Sequence, residues 1–249
     1  MSQPNSLLLG LLVLALAAHG QRPERTTDQP ASLLLRTGPA LLYGDLNELR
    51  TSPSLGLGLN VPLNRWFGME LLLDAGLLRA SQRDFYQSGS EARFGQSALA
   101  VSADLLALFS REGEPTALTV YGGAGLIYFN ARASHLTTGA LQRLTNNANS
   151  YRTRDGIRTR GRPGRRNTHE LVLPLGIRLS TLLSSRLAVM GDLRYQFVRT
   201  DKLDATLDGN NQTLEAGKAQ TEGNHYGRNS QDRWAALSVG FVYYFGNKP

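Results

Sequence analysis

The chain has 249 residues, no cysteine and a formal charge of +7. The missing cysteines exclude a disulfide framework, thiolate chemistry and a lipid anchor at cysteine. After the first twenty residues no apolar run approaches the roughly 18 residues of a membrane helix, which excludes a helical membrane protein but not a barrel, whose alternating pattern escapes a running average.

In chain order, the first feature is the apolar run Leu7 to Ala18, LLLGLLVLALAA, followed by His19 and Gly20. It is short and ends in small residues, so residues 1–20 are expected to be a secretory signal peptide and 21–31 a short periplasmic lead-in. Period-2 patterning over 32–249 then predicts eight strands. They run from Ser32 to Asp45, Ser54 to Pro62, Trp66 to Arg79, Phe94 to Phe109, Ala117 to Ala131, Thr168 to Thr181, Leu187 to Thr200 and Arg233 to Gly246. Short links at Leu63 to Arg65, Ser110 to Thr116 and Leu182 to Arg186 interleave with long ones at Leu46 to Pro53, Ala80 to Arg93, Arg132 to Asn167 and Asp201 to Asp232. That interleaving suits an outer-membrane barrel with tight periplasmic turns, long outer loops and both termini in the periplasm.

The strand faces bear on the same choice. In ELVLPLGIRLS, Leu171, Leu173, Leu175, Ile177 and Leu179 share one side, and small or polar residues share the other. Elsewhere the leucines oppose Gly56, Gly58, Ala236, Ser238 and Gly240. Small residues belong where space is short, so the leucines are expected to face lipid and the small face a filled lumen. A secreted sandwich with the leucines inside is the competing reading. Rings gather at the strand ends. Trp66, Phe67, Phe109, Tyr243, Tyr244 and Phe245 form one expected girdle, and Tyr43, Phe94, Tyr128, Phe129, Tyr195, Phe197 and Trp234 the other, with Tyr121 and Phe241 as mid-strand exceptions. The expected fold is thus all-β, an eight-stranded antiparallel up-and-down transmembrane β-barrel with a filled lumen and no open pore.

Eight charges fall on the inward faces: Arg36, Glu70, Asp74, Asp104, Glu170, Arg178, Asp192 and Arg194. Confined together, they must pair or neutralise, which points to a salt-bridged plug; a catalytic or proton-conducting cluster is the alternative. The positive charge is concentrated between Arg132 and Asn167, where nine arginines meet only Asp155. Within it, Arg154, Arg158, Arg160, Arg162, Arg165 and Arg166 form a candidate anion-binding loop, for which lipopolysaccharide phosphates are the natural counter-charges; a solvated flexible loop is the simpler reading. With almost no aromatic interleaving, nucleic acid is not expected as a partner. His135, His169 and His225 have no local nucleophile spacing, and Asp201, Asp204 and Asp208 lack the ligand spacing of a helix-loop-helix calcium site. No catalytic residue, metal or cofactor is assigned.

Several stretches carry a family resemblance: ALLYGDLNEL, NVPLNRWFGMELLLDAGLLRAS, VYGGAGLIYFNARA, DLRYQFVRTDKLDA and the closing RWAALSVGFVYYFG. They resemble the small outer-membrane β-barrel proteins of Bacteroidetes, and within them the barrel component associated with type IX secretion and gliding. The arginine-rich insertion and the four residues after Phe245 depart from that pattern. The resemblance implies an integral outer-membrane protein of a Gram-negative cell with a structural, anchoring or secretion-accessory role. Its partners would be outer-membrane lipid, lipopolysaccharide and envelope or secretion-complex proteins. A surface adhesin using its long loops is the alternative, and a lipid-A-modifying enzyme a weaker one.

Overall fold

The computed structural model describes residues 30–44, 46, 48–83, 87–109, 115–144, 168–200, 202–205 and 231–246. The expected signal peptide and the six loop arginines lie outside these residues. Among the described residues there are ten strands: β1 (Ser32–Tyr43), β2 (Glu48–Arg50), β3 (Ser52–Pro62), β4 (Phe67–Gln82), β5 (Ser88–Asp104), β6 (Thr116–His135), β7 (Leu141–Leu144), β8 (Thr168–Ser184), β9 (Leu187–Val198) and β10 (Arg233–Tyr244). One short helix, α1 (Leu105–Phe109), follows β5.

Eight of these strands close a barrel. Each pairs antiparallel with its sequence neighbour in the order β1, β3, β4, β5, β6, β8, β9, β10, and β10 returns to β1 from Ser32↔Tyr244 to Tyr43↔Arg233. The expected antiparallel up-and-down fold is therefore borne out. Closure matters energetically because every wall strand then has two partners and no row of unpaired amides is left along an edge. The two short extras cap the rim: β2 pairs Arg79–Ser81 of β4, and β7 pairs the end of β6. Both termini of the barrel lie at one end, called here the terminal end; the opposite end carries the two longest links, 136–167 and 199–232. The expected alternation of short and long links fails at β4–β5, whose link is only 83–87, and at β5–β6, whose link 105–115 holds α1.

The alternation settles which face is which. Leu171, Leu173, Leu175, Ile177 and Leu179 are exposed, while Glu170, Val172, Pro174, Arg178 and Ser180 are buried. The same parity exposes Leu33, Leu35, Leu55, Leu57, Leu99, Val101, Leu193, Leu237, Val239 and Phe241 around the wall. From Leu171 to Leu183 on one strand, at ~3.3 Å per residue and ~40° of tilt, this apolar belt is roughly 30 Å tall. A secreted sandwich would bury these leucines, and it is set aside.

Local chemistry explains where the strands stop. At the terminal end, Asn64 Oδ1 accepts the amides of Trp66 and Phe67, both at 2.8 Å, which closes the β3–β4 turn. The expected fourth strand, drawn to Phe109, ends at Asp104 instead. The Asp104 carboxylate accepts the amides of Leu106 and Ala107 at 3.0 and 3.2 Å, and this cap turns the apolar run LLALF into α1. At the other end, most of the segment from Ala80 to Arg93 expected as a loop is strand, because β4 and β5 pair continuously from Phe67↔Ala103 to Gln82↔Ser88.

Three of the rings placed in the second girdle point inward. Phe94, Phe129 and Trp234 are buried, with Phe94 and Trp234 centroids 4.9 Å apart. Their parity explains it: they share a face with Gln96, Ile127 and Ala236, all of which are buried. Tyr43, Tyr128, Tyr195 and Phe197 remain on the outside, as do Phe67, Tyr243 and Phe245 at the terminal end, whereas Tyr244 turns in.

Candidate functional site

The filled lumen is layered along its axis. At the loop end is an apolar plug: Leu42, Leu78, Phe94, Ile127, Phe129, Val172, Val198 and Trp234 from the wall, closed over by Leu46 and Leu203 from the links. At the terminal end Leu34, Ala188, Met190, Val242 and Tyr244 form a smaller cluster. Between these apolar ends lies the charge.

Six of the eight predicted inward charges form one chain of alternating sign. Arg36 meets Asp74 at 3.0 Å, and Asp74 meets Arg194 at 2.6 Å. Arg194 reaches Asp192 at 2.9 Å, Asp192 meets Arg178 at 3.3 Å, and Arg178 grips both oxygens of Glu70 at 2.9 Å. The chain runs Arg36, Asp74, Arg194, Asp192, Arg178, Glu70, so three guanidiniums face three carboxylates and the layer is neutral. All six are buried. Neutrality and alternation are what a charged layer in a narrow lumen requires, since each desolvated charge needs an adjacent opposite one.

The other two predicted members lie elsewhere. Asp104 caps α1, as described, at the rim. Glu170 sits nearer the loop end with Lys202, at 3.9 Å, and both are buried.

Neutral groups complete the layer. The Tyr121 hydroxyl donates to Asp192, with both carboxylate oxygens within 3.0 Å, and its ring lies under the Arg178 guanidinium at 4.9 Å. The Asn60 amide donates to Glu70 at 3.1 Å. Gln96 donates to Gln196 across the lumen at 3.2 Å. Sequence reasoning sets Tyr121 aside as a mid-strand ring; the signal it misses is the inward parity of Tyr121 together with glycine at position 176 on the neighbouring strand. A side chain at Gly176 would occupy the Tyr121 ring, and one at Gly56 would lie against Arg36 and Asp74. These two glycines are the space that the layer fills.

Among the described residues, the layer is approached from the terminal end. A small cavity opens at the terminal end between Asn60, Trp66, Ser102, Thr119 and Ser180, and Arg178 lies at its floor. The apolar plug covers the other side.

Neither the known family models nor the curated proteins match this sequence. Among solved structures the chain is similar to Ail, the attachment invasion locus protein of Yersinia pestis, with 10% identity, 87% of this chain and 99% of that one covered, and a TM-score of 0.46. It is likewise similar to Neisserial surface protein A, at 11% identity, 86% and 97% coverage and a TM-score of 0.46. A major outer membrane protein from Thermus thermophilus matches at 13% identity, 86% and 99% coverage and the same TM-score of 0.46.

The described histidines stand outside the lumen layer. His169 lies 5.6 Å from the Tyr128 ring, and His135 Nδ1 accepts the amides of Thr137 and Thr138 at 3.2 and 3.3 Å.

Proposed function

We propose that this chain is an integral outer-membrane β-barrel of a Gram-negative envelope, closed to diffusion, that serves as a structural, anchoring or secretion-accessory element. The observation that carries the membrane placement is the predominantly aliphatic belt around a closed wall whose charged residues at that level point inward. Exposed to water, a patch of that size would far exceed the few hundred Å² common on soluble monomers. A belt roughly 30 Å tall matches a hydrocarbon core of similar thickness. The neutral charge chain and the apolar plug support a barrel without a pore. The two longest links, 136–167 and 199–232, both lie at the end opposite the termini, which supports termini in the periplasm.

The secretion-accessory role rests on the resemblance of the YGDL, TDKLD and closing aromatic segments to type IX barrel components. The concentration of arginine from Arg152 to Arg166 favours a second reading, in which long outer links bind an anionic surface or ligand. The experiment is reconstitution of the purified chain with phosphatidylcholine vesicles. Flotation with the vesicles, a heat-modifiable band and no steady conductance across a planar bilayer are expected. A well-folded protein that stays in the aqueous fraction overturns the membrane placement, and sustained conductance overturns the closed lumen. Co-purification from native membranes then separates the roles: envelope secretion proteins support the accessory role, and retained extracellular ligands support the binder.

A further inference from the structure

A second set of charges stands on the outer wall near the loop end, where β4, β5 and β6 continue past the aliphatic belt. The register orders it in rows. Leu73, Ser97 and Leu126 lie abreast, followed by Ala75, Gly95 and Tyr128, with His169 beside the tyrosine. The next row is Leu77, Arg93 and Asn130, and the next is Arg79, Glu91 and Arg132, with Arg50 of β2 alongside Arg79. At ~3.3 Å per residue and ~40° of tilt, successive rows are separated by about 5 Å along the barrel axis. The arginines therefore begin one row above the rings that mark headgroup depth.

The charge in these rows is unbalanced. Glu91 is held by Arg79 at 2.9 Å, Arg132 at 3.1 Å and Arg93 at 3.7 Å. Its side chain is only 20% exposed, whereas those of Arg79, Arg132 and Arg93 are 43%, 55% and 73% exposed. One carboxylate positions three guanidiniums and leaves them facing outward, and Arg50 adds a fourth, its Nε donating to Ser81 at 2.7 Å. The neighbouring Glu48 faces Arg83 at 3.7 Å and does not offset the excess. Just below, the wall is shallow: a side chain at Gly95 would meet nothing within 4 Å, and Ala75 and Ser97 adjoin it.

We propose that this patch is a binding site for a phosphorylated, acylated glycolipid of the surrounding leaflet, its phosphates on Arg79, Arg93 and Arg132 and one acyl chain over the Ala75, Gly95 and Ser97 depression. Guanidinium groups match phosphate oxygens in paired hydrogen bonds. The occupant is a membrane lipid because the cations adjoin the apolar belt, so a ligand reaching both must be charged at one end and greasy at the other. The inference rests on the membrane placement proposed above.

The test uses the full chain folded in detergent and offered bisphosphorylated hexa-acyl lipid A, with bound lipid counted by native mass spectrometry. The wild type is expected to retain it, and Arg79→Gln/Arg93→Gln/Arg132→Gln to retain at least tenfold less while staying heat-modifiable. Gly95→Leu, which fills open space and leaves the strand ladder intact, is expected to lower retention of lipid A but not of its deacylated bisphosphorylated disaccharide. Equal retention of lipid A by the triple variant, equal retention of the dephosphorylated lipid by the wild type, or an unchanged Gly95→Leu each overturns the site. Failure of the wild type to float with vesicles overturns the membrane placement itself, so the two failures are distinguishable.

Discussion

Replacing Arg178 with Met tests whether the lumen layer is held by its alternation of charge. Arg178 makes two hydrogen bonds to Glu70 at 2.9 Å, pairs with Asp192 at 3.3 Å and covers the Tyr121 ring. Without it, Asp192 keeps Arg194 and the tyrosine hydroxyl, but Glu70, 1% exposed, is left with the neutral Asn60 amide and Ser102 hydroxyl as its hydrogen-bond partners. Removing one partner of a buried pair costs about 3 to 5 kcal/mol, most of it the uncompensated charge left behind. Arg178→Met is therefore expected to destabilise the barrel by that amount. Adding Glu70→Gln takes the chain from three guanidiniums and three carboxylates to two of each, and should restore at least about 2 kcal/mol. Urea unfolding of the barrel folded in vesicles, followed by tryptophan fluorescence and by the heat-modifiable band, gives both numbers. A loss below about 1 kcal/mol for Arg178→Met, or a further loss on adding Glu70→Gln, would show that packing rather than charge alternation holds the layer.

Three other outcomes follow from the same geometry. Leu175, 52% exposed in the middle of the belt, should cost about 2 to 4 kcal/mol of membrane stability when changed to Arg, read as lost flotation with vesicles; a water-soluble folded product would contradict the belt. Gly176→Leu drives a side chain into the Tyr121 ring and is expected to cost about 1 to 3 kcal/mol in the same urea titration, and combining it with Tyr121→Ala should recover part of that loss. Changing Arg154, Arg158, Arg160, Arg162, Arg165 and Arg166 to Gln should reduce the salt-sensitive part of binding to phosphorylated lipid A, measured above and below about 0.15 M salt, while heat-modifiability is kept. Identical salt profiles for the two proteins would leave these arginines without a binding role.

The strands and their faces are legible because the belt makes the alternation extreme: Leu171 to Leu179 are apolar at every outward position and the opposite face is small or polar. The ends are legible only in part. Beyond the belt both faces of β4 and β5 turn polar, with Gln82, Ser88 and Ser90 inside and Glu91 and Arg93 outside, so the contrast that marks a strand is lost although the ladder continues. Position along the strand puts Phe94, Phe129 and Trp234 in the outer girdle, whereas their parity holds the answer. The inward charges are visible one by one. Their partners are not, because Arg178 and Glu70 stand on strands separated in the wall by two others, β5 and β6, and which levels meet across a lumen depends on how far the strands are staggered around it.

The plug at the loop end joins the links to the wall in a particular way. Leu46 and Leu203 are both fully buried against Trp234 and its neighbours, and Asp204 and Ala205, which follow Leu203, are buried with them. The Leu203 amide donates to the Asp232 carboxylate and the Asp232 amide to the Thr200 carbonyl, so the two ends of this link are fastened to each other at the lumen mouth. The stoppers therefore belong to the barrel rather than to its outer face, and a foreign peptide inserted between Leu203 and Ala205 would unseal the lumen.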